Sequence, residues 1–282
     1  EHREYMQHEV AARQEAGFEA EYFEGLINPL WESGGTLGIV TPGDALIDPF
    51  QFTRSLAGVL KGMGVEIYEN SPVLGIENHT CLTPKGRLEA DKIALVGQNV
   101  PGQFGYKKGQ ISLLTFCLAT PPLSSEQLGA IGLERGPSFW DSDQPFFYGR
   151  VTPDNRLIVG GEDLWQPMAH LGLDNVKLGR LEKKLRNKIP ALQDIPLEYQ
   201  WGGPFYVTAD AMPVVGQDRH IIYAGNAAGI SQAVLAGKIV SGLAGDHQSE
   251  FAKILDFKRD LFPKLYTYGE LFHFILEILG IY

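Results

Sequence analysis

Apolar positions along this chain switch repeatedly between a helical and a strand period. Asp48 and Pro49 suit an N-cap and a first helical residue. Beyond them Phe52, Leu56, Val59 and Leu60 recur at the spacing of one buried helical face. Gly62 and Gly64 end that helix, and Val65-Glu66-Ile67-Tyr68 alternates as a short strand. Val73–Ile76 and Lys92–Gly97 read as further strands, the second continuously apolar, as in a strand buried on both faces. From 107 to 205 strand runs dominate: Ile111–Leu118, Phe146–Val151, Arg156–Val159 and Leu197–Trp201. Pro153-Asp154-Asn155 between two of them signals a hairpin. Leu178, Leu181, Leu185 and Ile189 mark an amphipathic helix stopped by Pro190. Residues 1–24 read as helical, with Tyr5, Val10, Phe18 and Phe23 as apolar anchors, and Gly34–Gly43 reads as a glycine-rich loop.

Composition changes this picture little. A chain of 282 residues with 44% hydrophobic and 21% charged residues is that of an ordinary globular protein. A net charge of −10 without a basic patch argues against nucleic acid as a partner. Cys81 and Cys117 carry no metal-ligand pattern and read as buried thiols. No signal peptide is visible, so a cytoplasmic location is expected. Leu271–Tyr282 is too short an apolar run to span a bilayer and reads as a packed terminal helix. The absence of an initiator Met, with the chain already in a helical segment, points to a fragment.

The most informative stretch lies late. Thr208–Gly216 and Arg219–Gly229 lead through small residues into a helix from Ile230 to Leu243. A helix N-terminus presents N–H groups and a positive dipole end to a polar or anionic ligand edge. Neither G-x-G-x-x-G nor the Walker pattern occurs anywhere.

Four stretches, in order, carry a resemblance. They are Ile47-Asp48-Pro49 leading to Gly64–Ile67; Ala90–Gly97; Ala119–Ser124 with Tyr148-Gly149-Arg150 and Asn155–Gly161; and Trp201-Gly202-Gly203 with Thr208-x-Asp210-x-x-Pro213-x-x-Gly216 and Gly229–Lys238. Together they resemble the FAD-dependent amine and amino-acid oxidoreductases related to D-amino acid oxidase and glycine oxidase. The likeness is greatest to the gamma-glutamylputrescine oxidoreductase-like branch. What is missing is that family's first hundred or so residues, with the glycine fingerprint.

The resemblance implies a mixed α/β and α+β fold, an incomplete FAD-binding Rossmann-like domain intertwined with a substrate domain on a large, mostly antiparallel sheet. Expected boundaries are 1–45 for a helical lead-in and part of the substrate domain, 46–98 for part of the FAD-binding domain, 99–216 for the substrate domain, 217–245 for the return to the FAD-binding domain, and 246–282 for C-terminal helices. The implied cofactor-binding positions are Val73, Gly97, Asp210, Pro213, Gly225, Asn226, Ala227, Ala228, Gly229 and Ile230. Without the resemblance, small-residue packing explains the Gly225–Ile230 turn and turn chemistry explains Asp210 and Pro213. Val73 is equally an ordinary buried strand valine.

On the substrate side the resemblance implies Tyr148, Arg150, Trp201 and Phe205. A guanidinium can grip a carboxylate in bidentate fashion. A solvated Arg150 beside Asp154 and a core-filling Trp201 are the plain alternatives. Phe205 stands where glycine oxidase-like relatives place a carboxylate-binding arginine, which disfavours a simple amino acid held that way. Ala224, Ala227, Ala228 and Val100 also depart from the branch pattern. No catalytic side chain, metal site or covalent attachment residue is assigned, and His170 and His220 read as isolated.

The implied function is oxidation of an amine or N-substituted amino acid to an imine, with FAD as hydride acceptor. A missing segment or a partner chain would supply the rest of the FAD site. Two alternatives stand beside it: a non-catalytic remnant that binds a small molecule or partner, and an ordinary dinucleotide dehydrogenase, which the antiparallel region suits poorly.

Overall fold

The structure is a computed structural model, and it describes residues 2–24, 37–106, 110–133, 138–141, 146–165, 174–208, 210–227, 229–245, 247, 250–256 and 258–259. The chain divides into two compact units, one of residues 1–48, 115–164 and 168–203, the other of 49–114, 165–167 and 204–282.

In the first unit the N-terminal segment is helical for part of its length. Helix α1 (His2–Glu15) stops at Gly17, whose φ of +85° is glycine territory, and the chain turns into β1 (Glu21–Glu24). That strand pairs antiparallel with β2 (Leu37–Val40), so part of the expected glycine-rich loop is extended sheet. Gly38 allows the pairing, because a Cβ there would lie 2.2 Å from the Phe23 ring.

A five-stranded, largely antiparallel sheet follows, in the order β11 (Tyr199–Thr208), β7 (Gln110–Ala119), β10 (Leu157–Trp165), β9 (Tyr148–Val151), β8 (Ser138–Trp140). Strands β9 and β10 form the expected hairpin, Leu157 opposite Val151, and Asn155 takes φ +65° in the turn. Helix α4 (Ser125–Ala130) begins with a reciprocal Ser124–Gln127 capping box. One sheet face is sealed: Phe116, Leu118, Phe147, Leu157 and Val159 are buried, as are Leu181 and Leu185 of α5 (Asp174–Lys188) and Ile189 beyond it. Burial of each such side chain is worth roughly 1.5–3 kcal/mol.

The second unit is built on a three-stranded sheet, β12 (Val214–Asp218), β13 (Ile221–Gly225), β6 (Ile93–Val96). The first pair is antiparallel and the second parallel. On one face Ile93, Leu95, Val214, Ile221 and Tyr223 pack with Ile76, Cys81, Val100, Phe104 and Tyr106. Those partners come from a meander, β3 (Gly75–Glu77), β4 (Thr80–Thr83) and β5 (Gly86–Glu89), and from the short helix α3 (Val100–Gln103) and the residues after it. On the other face Val215 and Ala224 pack with Ala236 and Ile239 of α6 (Ile230–Ala244) and with Leu255 after α7 (Glu250–Ile254).

Several sequence expectations fail in this unit for one reason. Helix α2 (Pro49–Gly62) forms where expected, but its apolar stripe is not buried, with Phe52, Leu56 and Val59 at 41%, 46% and 59% exposure. Val65–Tyr68 is not a strand. Val73 precedes β3 and is exposed, so it is not a core valine. Strand β6 buries Ile93 and Leu95 but exposes Ala94 and Val96, rather than burying both faces. Its Ile93 and Gly97 amides donate to His220 and Ala224. By strand alternation the Ala94 and Val96 amides point to the opposite edge, where no strand among the described residues pairs with it. Each of these segments has the pattern of a packed element and lacks, among the described residues, what would cover it.

Candidate functional site

Within the second unit, the Gly225–Ile230 turn sits at the carboxyl end of the parallel pair β6–β13, where open α/β sheets place their ligands. The two strand ends touch backbone to backbone: a Cβ at Gly225 would lie 2.9 Å from the Gly97 carbonyl oxygen and 3.2 Å from that of Gln98. Gly97 itself has φ +144° and donates its amide to Ala224. Gln98 donates from Nε2 to the Ala227 carbonyl at 2.8 Å. Gly229 then starts α6 with φ +92° and ψ 179°, and no side chain caps the helix. A glycine is required by that φ, and it opens a 15-residue helix that has no side-chain cap.

The Asp210–Pro213 loop joins this turn, since Gln232 of α6 donates to the Ala211 carbonyl at 3.1 Å. Asp210 accepts from Thr208 at 2.6 Å and is gripped at both oxygens by Arg259, at 2.8 and 3.0 Å. Burial raises the Asp210 pKa, but Arg259, Thr208 and the Met212 amide outweigh it and hold the carboxyl below its ordinary value. Its oxygens are thereby committed to shaping the loop. The structure brings together Gly97, Asp210, Pro213, Gly225, Asn226, Ala227, Gly229 and Ile230; Ala228 lies outside the described residues, and no described contact ties Val73 to the group. His220 is not isolated, for its ring stacks on His79 at 4.1 Å and its Nε2 lies 2.7 Å from the Asn78 carbonyl oxygen. His170 and the 271–282 segment lie outside the described residues.

In the first unit the sheet face opposite the sealed one carries Trp140, Tyr148, Arg150 and Ile158, by strand alternation and cross-strand register. Trp140 is 71% exposed and Tyr148 37%. The Tyr148 ring lies across Gly160, where a Cβ would come 2.3 Å from the ring. Its hydroxyl sits 3.4 Å from Thr115 Oγ1 and 3.9 Å from Cys117 Sγ. Burial raises the Tyr148 pKa well above its ordinary value, and burial also raises that of the Cys117 thiol. Arg150 donates to the Ile47 carbonyl and lines a shallow cavity of about 350 Å³ with Asp48, Leu128, Leu133 and Asn155. Asp154 instead pairs with Arg156 at 2.8 Å, so it is not Arg150's neighbour in charge. Trp201 is 43% exposed on β11, which removes the core-filling reading; Phe205, further along the same strand, falls in the second unit.

Sequence reading missed one residue of this face. Strand β10 carries a distortion at Gly161 (φ +148°) and Glu162 (φ +57°), and a Cβ at Gly161 would lie 2.3 Å from the Phe146 carbonyl oxygen. Beyond it Glu162 reaches Lys177 of α5 at 3.7 Å, while Asp163 turns to Thr115 on the open face. Burial raises the Asp163 pKa, partly offset by its hydrogen bond from Thr115 and by Lys177. The available signal was two acidic residues in mid-strand, directly after Gly160-Gly161.

Among the described residues no group of three or more His, Cys, Asp or Glu is placed to hold a metal, and no helix is long and apolar enough to cross a membrane. The chain is 27% identical over 229 residues to "Probable oxidoreductase OrdL" of Haemophilus influenzae, covering 75% of this chain and 50% of that protein. It is 25% identical over 226 residues to gamma-glutamylputrescine oxidoreductase of Escherichia coli, covering 77% and 52%. The chain thus spans about half the length of the curated relatives it matches. Its fold is that of the crystal structure of glycine oxidase from Geobacillus kaustophilus, with a TM-score of 0.72 at 15% identity over 90% of this chain and 71% of that one. Residues 1–243 match the family described as FAD dependent oxidoreductase, so the chain belongs to the DAO family of FAD-dependent oxidoreductases.

Proposed function

We propose that this chain is the substrate half and flavin-edge part of an enzyme that oxidises an amine or N-substituted amino acid to the imine. The observation that carries the reading is the uncapped start of α6, set at the carboxyl ends of β6 and β13 beside Gly97 and Gly225. That arrangement fits one edge of a flavin. Small residues let the ring approach the backbone, and helix amides meet the edge that gains negative charge. FAD, when bound, supplies the two-electron acceptor.

The chain's own residues hold and orient. Gly97, Gln98 and Gly225–Ile230 would meet the flavin edge, and Asp210, clamped by Arg259, fixes the loop beside it. Tyr148, Arg150 and Trp201 would receive the substrate, and Phe205 offers no charge to a carboxylate. Val73 and Ala228 are carried into the cofactor assignment by the resemblance alone. No G-x-G-x-x-G is present to hold the FAD pyrophosphate. The open edge of β6 and the exposed stripe of α2 suit cover by a strand-and-helix segment from outside these 282 residues or from a partner chain. The same openness favours the second reading, a non-catalytic remnant.

An absorbance scan from 300 to 550 nm separates the two, before and after FAD addition and desalting. We expect little retained flavin with these residues alone, and retention once the gene's upstream segment is included. Flavin retained by neither form would sink the oxidase reading, and tight retention by the 282 residues alone would sink the claim that the site is incomplete.

A further inference from the structure

Strand β10 would present Glu162 to the open sheet face and Asp163 to the sealed one if it kept its alternation past Gly160. The left-handed residues Gly161 and Glu162 reverse this. Glu162 goes to Lys177, a buried cation of α5, and Asp163 joins the face that carries Tyr148 and Thr115. A non-glycine residue at positive φ costs on the order of 1 kcal/mol or more, and such strain gathers at functional sites. Asp163 makes no ion pair among the described residues; Thr115 gives it a hydrogen bond, and Lys177 is engaged by Glu162. The same sheet face carries Tyr148 on the neighbouring strand, at 37% exposure, and further off the exposed Trp140 and Trp201, at 71% and 43%. A half-buried carboxylate without its own cation, beside the Tyr148 ring on an aromatic sheet face, is suited to an ammonium group, which gains from the charge and from a ring face together.

We propose that Asp163 is the ammonium-binding group of this sheet face, and that the molecule held there is a cationic amine. This rests on the reading of that face as the substrate side. Tyr148 forms the aromatic wall beside the carboxylate, and Thr115 fixes the carboxylate's orientation. Arg150, engaged with the Ile47 carbonyl at the other end of the face, leaves Asp163 as the charge that selects the amine end.

Calorimetric titration of the chain with 1,4-diaminobutane, and separately with 1,4-butanediol, tests this without flavin. The diamine should bind and the diol should not. Asp163→Asn should weaken the diamine by about tenfold or more, the worth of one charge-assisted hydrogen bond. Asp194→Asn, at an exposed acid elsewhere in this unit, should leave it unchanged. Thermal melts should show Asp163→Asn folded and no less stable than wild type, because it relieves a half-buried charge. Equal diamine affinity in wild type and Asp163→Asn overturns the proposal. So does an equal loss in Asp194→Asn, equal binding of the diol, or no diamine binding at all. Flavin retention is read separately, on the form that carries the upstream segment: diamine binding through Asp163 without FAD uptake by that form upholds this inference and overturns the amine-oxidation reading. FAD uptake with no Asp163 effect does the reverse.

Discussion

Individual glycines in this chain differ greatly in what they permit, and the difference can be measured. At Gly229 a Cβ would meet nothing within 4 Å, so an alanine costs only the backbone strain of φ +92°. At Gly161 it would strike the Phe146 carbonyl oxygen at 2.3 Å, with φ at +148° besides. Gly161→Ala should therefore lose on the order of 2–3 kcal/mol in urea unfolding. A loss below about 0.5 kcal/mol would mean that β10 relaxes and that the reversal of Glu162 and Asp163 is not fixed by this residue. A charged residue tests the electrostatics. Arg259→Gln removes the clamp on Asp210, which should cost about 2 kcal/mol near neutral pH. The Asp210 carboxyl lies below its ordinary value in the fold, so its contribution is present above the unfolded pKa and lost as pH falls through the folded one. The gap between wild type and Arg259→Gln should thus narrow in acid, below the ordinary carboxylate range. A gap that is constant with pH would show that Arg259 acts through its contacts with backbone carbonyls instead.

Whole elements show which parts of the fold were legible in the sequence. The β9–β10 hairpin, α5 and α6 have cues and partners within the chain, and pattern reading placed each of them. Turn residues at 153–155 and the Leu181, Leu185, Ile189 stripe work locally, whatever lies elsewhere. Val65–Tyr68 and the α2 stripe were legible as pattern and still misled, because a pattern states what a segment is suited to pack against and not whether that partner is present. The Gly225–Ile230 turn was legible because its glycines carry backbone demands that a sequence records directly. Asp163 was missed because side-chain alternation, the rule that places strand residues, is broken two positions earlier. Strand β6 allows a direct test. Its exposed Val96 lies at an edge that no strand among the described residues pairs with, and such an edge promotes pairing between chains. Wild-type protein should self-associate as its concentration rises in light scattering, and Val96→Lys should reduce this while changing stability by no more than about 0.5 kcal/mol. Wild-type protein that stays monodisperse would show the edge to be harmless.

Across the whole molecule, neither compact unit is a continuous piece of chain: each is gathered from three separate segments, laid down in alternation. Strand β6 pairs with a strand more than a hundred residues downstream, and Lys92 just before it donates to the Leu243 carbonyl, 151 positions on. During synthesis β6 therefore emerges long before β13, and must wait with both of its edges bare. Loop-closure entropy makes such distant pairings slow to form, and unpaired strands are exposed to misassembly while they wait. The order in which the ribosome delivers this chain is thus a constraint on it: the three-stranded sheet is closed by its last-made strands, so a polypeptide stalled between residues 97 and 221 carries an apolar strand with no parallel partner.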